Sequence, residues 1–153
     1  WRSLYEKALN HDYTERFIGD IKTPVKYATN ELRTMLAKVD ESLTENFIQT
    51  EIPVEFREAY ERRFAEGKDD TLEGKILSVA DKIDLMYESF GEIQKGNPEP
   101  VYMDIYRSSL KAIMKFNDMA SVQYFLKMIL PELLKDNANT NHLAIMTTQI
   151  IQQ

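Results

Sequence analysis

Apolar residues recur along this chain at steps of three and four, and no stretch alternates in the manner of a strand bounded by tight hairpin turns. Residues 2–12 place Leu4, Ala8 and Leu9 at helical spacing with Tyr5 alongside, so that His11 and Asp12 close a short helix. Gly19-Asp20 and Thr23-Pro24 break the pattern, and Pro24 pushes Thr23 towards extended geometry, which predicts an ordered loop over 18–27. From about 29 to 49, Leu32, Met35, Leu36, Val39, Leu43 and Phe47 mark a long amphipathic helix. Pro53 suits a first helical turn, and Phe56, Tyr60 and Phe64 follow at steps of four until Gly67.

Asp69-Asp70-Thr71 offers N-cap candidates for a helix over 72–95, whose apolar set includes Leu72, Ile76, Leu77, Val79, Ile83, Met86 and Phe90. Helices over 101–117 and 119–135 follow, the second kinked or broken by Pro131. The polar run Asn137 to Asn141 reads as a linker, and 142–151 as a weakly specified last helix. The expectation is an all-α bundle of six or seven helices, a single domain over 1–153 with 136–153 as linker and tail.

Composition narrows the function more than the fold. An apolar fraction of 43% and a charged fraction of 29% are those of a globular chain. A net charge of -6 without a clustered basic patch argues against a nucleic-acid partner. A small phosphorylated substrate stays open, because a bound metal and a few lysines can reverse the field inside a cleft. With no cysteine there are no disulfides, thiolate-zinc sites or cysteine nucleophiles, and the expected location is cytoplasmic. No run of eighteen apolar residues exists, so no membrane span is expected. The chain opens at Trp1, without a methionine, directly into a helical pattern; the expectation is that upstream residues of the natural protein precede it.

The five glycines form neither a dinucleotide fingerprint nor a P-loop, and no Gly-x-Ser-x-Gly turn is present. His142 in the Asn-rich run reads as a solvated loop residue. His11-Asp12, with Glu15 and Asp20 close behind, can hold a divalent metal and poise a water beside it, or be polar side chains that only meet solvent. Asp81 sits mid-helix with Leu77 four residues before it and Leu85 four after. Buried alone there, a carboxylate would cost several kcal/mol, so it needs a cation, a donor or a metal; the alternative is the edge of the stripe and a lysine on a neighbouring helix. Phe56, Tyr60, Phe64, Tyr102 and Tyr106 read as core, with a partner-facing surface as the alternative.

Taken together, these residues resemble the HD-domain metal-dependent phosphohydrolases, and more closely their 5′-deoxynucleotidase branch. His11-Asp12-Tyr13-Thr14-Glu15, Gly19-Asp20 and Thr23-Pro24-Val25-Lys26-Tyr27 stand at that branch's spacing, and Val79-Ala80-Asp81-Lys82-Ile83 matches its distant aspartate. The likeness runs to about Leu134. It implies release of phosphate from deoxyribonucleoside 5′-monophosphates, with a divalent transition metal, cobalt or manganese, as cofactor and a homodimer as the assembly. His11, Asp12 and Asp81 would be metal ligands. Glu15 would manage the proton of the attacking water. Asp20, Ile21, Lys22 and Thr23 would line the nucleotide, with Asp20 acting near the leaving group or sugar.

Two departures matter. The family's first metal histidine should lie upstream of the pair, and none of the ten residues before His11 is a histidine, so weakened metal binding and little turnover are expected of this chain. Lys22 stands where a proline is usual. Lys22 and Lys26 could help hold phosphate, but Lys26 reads rather as a solvated lysine or a member of a structural ion pair. The rival readings are an HD hydrolase of another nucleotide or phosphate ester, and a non-catalytic helical module that self-associates.

Overall fold

A computed structural model describes every residue except 20, 27, 66, 136–140 and 153, and no side chain at 23 or 24. The described residues are all-α. Ten α-helical segments are present among them: α1 (Arg2–Asn10), α2 (Glu15–Ile18), α3 (Thr23–Lys26), α4 (Asn30–Glu51), α5 (Arg57–Ala65), α6 (Leu72–Gln94), α7 (Pro100–Met114), α8 (Ala120–Tyr124), α9 (Leu130–Leu133) and α10 (Asn141–Ile151). None is long and apolar enough to cross a membrane. The chain divides into two compact units, Trp1–Leu77 and Ser78–Gln153, and α6 runs through the division.

The first unit is organised on aromatic rings. Tyr13 and Phe64 stack at 5.2 Å between centroids, Phe47 lies 5.5 Å from Tyr13 and 5.4 Å from Phe17, and Tyr60 meets Phe64 edge-on at 5.8 Å. Each such pair adds about 0.5–1.5 kcal/mol beyond area burial. The cluster joins the turn after α1 to α2, α4 and α5. The guanidinium of Arg16 lies over three of these rings, 5.0–5.4 Å from their centroids, and donates to the Tyr13 hydroxyl. The Thr29 hydroxyl caps α4 by accepting from the Leu32 N–H. Phe56, expected in the core, is instead largely exposed in a 3₁₀ turn after Pro53. Tyr5 and Leu9 are also exposed, so the apolar face of α1 is not covered within this unit.

The expected loop over 18–27 is partly helical. Gly19, at φ +78°, ends α2 in a conformation that favours glycine, and Pro24 falls in the first turn of α3, where its missing N–H costs nothing.

The second unit has the larger hydrophobic core. Met86, Phe90 and Ile93 of α6, Tyr106, Leu110 and Ile113 of α7, Val122, Phe125, Leu126 and Leu130, and Leu143 and Ile150 of α10 form one cluster. The Tyr106 hydroxyl, fully buried, shares a 2.8 Å hydrogen bond with Thr147. α10 is thus part of the core, not a loosely specified tail. His142 lies in its first turn, with Nε2 3.2 Å from the sulfur of Met103. The helix expected over 119–135 is interrupted: a π-helical turn, Phe125–Ile129, precedes α9. Pro131 has no N–H and its ring crowds the carbonyl four residues earlier, and a widened turn removes that clash.

Candidate functional site

His11 and Asp12 follow directly on α1, in a turn fixed by backbone hydrogen bonds. The His11 N–H donates to the Lys7 carbonyl at 3.0 Å, and the Glu15 N–H to the Asp12 carbonyl at 3.0 Å, which starts α2. The imidazole is half-buried. Its Nδ1 is 2.9 Å from the Ala8 carbonyl oxygen, which can only accept, so Nδ1 carries the hydrogen. With Nδ1 so committed, Nε2 is the ring nitrogen left to meet a proton or a metal.

That nitrogen faces the Asp12 carboxylate, Nε2 to Oδ2 at 2.8 Å. Two acceptors so close need a proton or a cation between or beside them. Neighbouring ligands about 2.1 Å from one ion at a right angle stand roughly 3.0 Å apart, so the pair has the spacing of two adjacent metal ligands. A neutral imidazole with a carboxylate is the donor set of a first-row transition ion more than of calcium, and a backbone carbonyl on the other ring nitrogen is the usual outer support of such a ligand. The pair therefore fits two neighbouring positions around a metal. Among the described residues, however, no three histidine, aspartate or glutamate side chains gather closely enough to hold one.

The other expected residues lie as follows. Glu15 opens α2, partly exposed, with Oε1 3.9 Å from the Lys26 Nζ, so Lys26 takes part in an ion pair as expected. Ile21 is half-buried and Lys22 exposed; the Lys22 carbonyl accepts from the Val25 and Lys26 N–H groups at 2.9 and 3.1 Å. Asp20 and the Thr23 side chain lie outside what is described. Asp81, in the second unit, is a quarter exposed and pairs with the adjacent Lys82 at 3.1 Å.

Sequence reasoning missed the loop between α5 and α6. Asp69 Oδ2 accepts from Lys7 Nζ at 2.6 Å, and the Lys7 side chain is only 11% exposed. Gly67 is buried, and a Cβ there would lie 3.2 Å from the His11 Cβ. The only advance sign was Asp69-Asp70-Thr71, which read as a cap. Thr71 does cap α6, its hydroxyl accepting from the Gly74 N–H at 3.1 Å.

Comparison with known proteins decides the family. A family model described as 5′-deoxynucleotidase YfbR-like matches residues 1–133. This chain belongs to the YfbR-like 5′-deoxynucleotidase family. Similar members include a 5′-deoxynucleotidase of Shewanella oneidensis, 30% identical over 124 residues, and one of Vibrio parahaemolyticus, 26% identical over 124 residues. Those matches cover 81% of this chain, which spans 62% of the length of each relative. Among solved structures, a crystal structure of an HD-domain phosphohydrolase from Listeria innocua is 59% identical, with a TM-score of 0.83, over 99% of this chain and 72% of that one. Membership of the YfbR-like family agrees with the all-α HD-type architecture and with the resemblance first carried by the motif at 11–27.

Proposed function

We propose that this chain carries the metal-binding centre of a phosphohydrolase that releases phosphate from deoxyribonucleoside 5′-monophosphates. One observation carries the reading: the His11 Nε2 and the Asp12 carboxylate face each other at 2.8 Å while Nδ1 is committed to a carbonyl. His11 and Asp12 hold the ion in this reading. A bound cobalt or manganese ion supplies an acidified water and neutralises phosphate charge. The Glu15 carboxylate, three residues beyond Asp12 and held towards Lys26, takes the proton of the attacking water and returns it to the leaving oxygen. Asp20 to Thr23 line the nucleotide, with Asp20 near the leaving group or sugar. In this reading the enzyme is cytoplasmic, in line with its cysteine-free sequence, and homodimeric, a point that rests on family resemblance.

A substrate panel tests it. Full-length protein is assayed for phosphate release from deoxyribonucleoside and ribonucleoside 5′-monophosphates, a triphosphate and a cyclic nucleotide, with cobalt or manganese. Preference for the deoxy monophosphates is expected. Preference for another phosphate ester replaces the substrate assignment, and release from none leaves a helical self-association module.

A further inference from the structure

The loop between α5 and α6, residues 67–71, has no part in the chemistry above, yet its contacts fall on the last turn of α1 and on His11. No residue of α1 is fully buried; Leu4 is half-buried and the helix lies along α5. Two further contacts tie its last turn to the loop. Gly67 lets the loop backbone lie against His11, where a Cβ would sit tightly on the His11 Cβ at 3.2 Å. Asp69 binds Lys7 at 2.6 Å, and the Lys7 carbonyl takes the His11 N–H at 3.0 Å, so the ion pair and the histidine share one residue.

The loop is itself tied to the start of α6. Asp69 Oδ1 accepts from the Thr71 N–H at 3.2 Å and from the Thr71 hydroxyl, which in turn caps α6 through Gly74. A Cβ on Gly74 would lie 2.4 Å from the Asp69 carbonyl oxygen, so loop and helix start are in contact with no slack. The chain from α6 back to His11 is therefore continuous: Gly74, Thr71, Asp69, Lys7, His11.

We propose that Lys7 and Asp69 are positioning residues: the α5–α6 loop clamps the last turn of α1 and holds the His11 imidazole in the register where Nε2 meets Asp12. The clamp matters to function only if His11 binds metal, and so it rests on the reading above. A ligand held by a rigid surrounding keeps its geometry when the ion is absent and gains affinity for it.

Asp69→Asn separates the two roles of this side chain. The amide oxygen still accepts from Thr71, while the amide nitrogen cannot accept from Lys7. Lys7→Met removes the cation and Lys7→Arg keeps it. Thr29→Ala, which removes the cap of α4, is a destabilised control in the same unit. The readouts are cobalt affinity, by titration of full-length protein with the metal alone, and the metal-free ring spectrum of His11 by nitrogen-15 NMR. Asp69→Asn and Lys7→Met should lower cobalt affinity about tenfold, Lys7→Arg should restore most of it, and Thr29→Ala should leave it unchanged. In metal-free protein Asp69→Asn should change the ring spectrum of His11.

Parent-like cobalt affinity together with a parent-like ring spectrum in Asp69→Asn overturns the clamp, as does an equal loss of affinity in Thr29→Ala. A changed ring spectrum in Asp69→Asn, in a parent that binds no cobalt, upholds the clamp and removes the metal reading.

Discussion

Replacing Gly74 by alanine puts a methyl group where the start of α6 leaves no room. Its Cβ would lie 2.2 Å from Asp69 Oδ1, 2.4 Å from the Asp69 carbonyl oxygen and 2.7 Å from the Asp69 nitrogen. Two of those atoms are backbone, and the carbonyl must retreat by about 1 Å to reach ordinary contact. Overpacking of this kind costs about 1–3 kcal/mol, and disturbing the Thr71 cap adds about 1 kcal/mol. Against this, alanine is favoured over glycine inside a helix by about 1 kcal/mol. The net expectation is a loss of about 2 kcal/mol, read as a lowered midpoint in urea unfolding followed through the aromatic cluster of the first unit. Gly91, in the same helix, is the internal control, because a Cβ there meets nothing within 4 Å. Gly91→Ala should be neutral or stabilise by up to about 1 kcal/mol. If Gly74→Ala unfolds at the parent's midpoint or above it, the close approach of the loop to α6 is wrong.

Other consequences are equally direct. Tyr106→Phe strands the buried Thr147 hydroxyl and should cost about 1–3 kcal/mol in urea unfolding, most of it recovered by adding Thr147→Val. The hydrogen bond from Lys7, then those from Thr71, hold the Asp69 carboxyl below its ordinary value of 3.8. Its contribution to stability is complete above that value and is lost as pH falls through the folded pKa, so Asp69→Asn should flatten the decline of the unfolding midpoint below about pH 4. Burial raises the Tyr106 phenol above 10.0, with the Thr147 hydrogen bond opposing. That stability is present below pH 10 and is lost as pH rises through the folded pKa, so Tyr106→Phe should soften the alkaline limb of the same curve.

Much of the helical layout was legible because a period near 3.6 survives in α4, α6 and α7, whose apolar residues recur at steps of three and four. Periodicity marks a face without saying what covers it, which is why Tyr5 and Leu9 looked like core positions and are exposed. α10 was hard to read for the opposite reason: Leu143, Thr147 and Ile150 share its buried face, and the threonine belongs there only because Tyr106, forty-one positions earlier, bonds it. Pro131 announced a break, but not that a π-helical turn would absorb it. At the site, adjacency made the His11-Asp12 pair visible, and the Ala8 carbonyl that orients the ring follows from its place one turn back on a helix. The clamp was invisible. Lys7 and Asp69 are sixty-two positions apart, and no local pattern encodes a contact of that range.

In the proposed reading the His11–Asp12 pair holds a cation needed for phosphate release. Phosphate release from deoxyribonucleoside 5′-monophosphates by full-length protein, in cobalt and in EDTA, is therefore to be measured alongside His11→Ala and Asp12→Ala. Release that requires cobalt and disappears in both variants is the predicted result. Release that persists in EDTA, or that survives loss of either side chain, would contradict it.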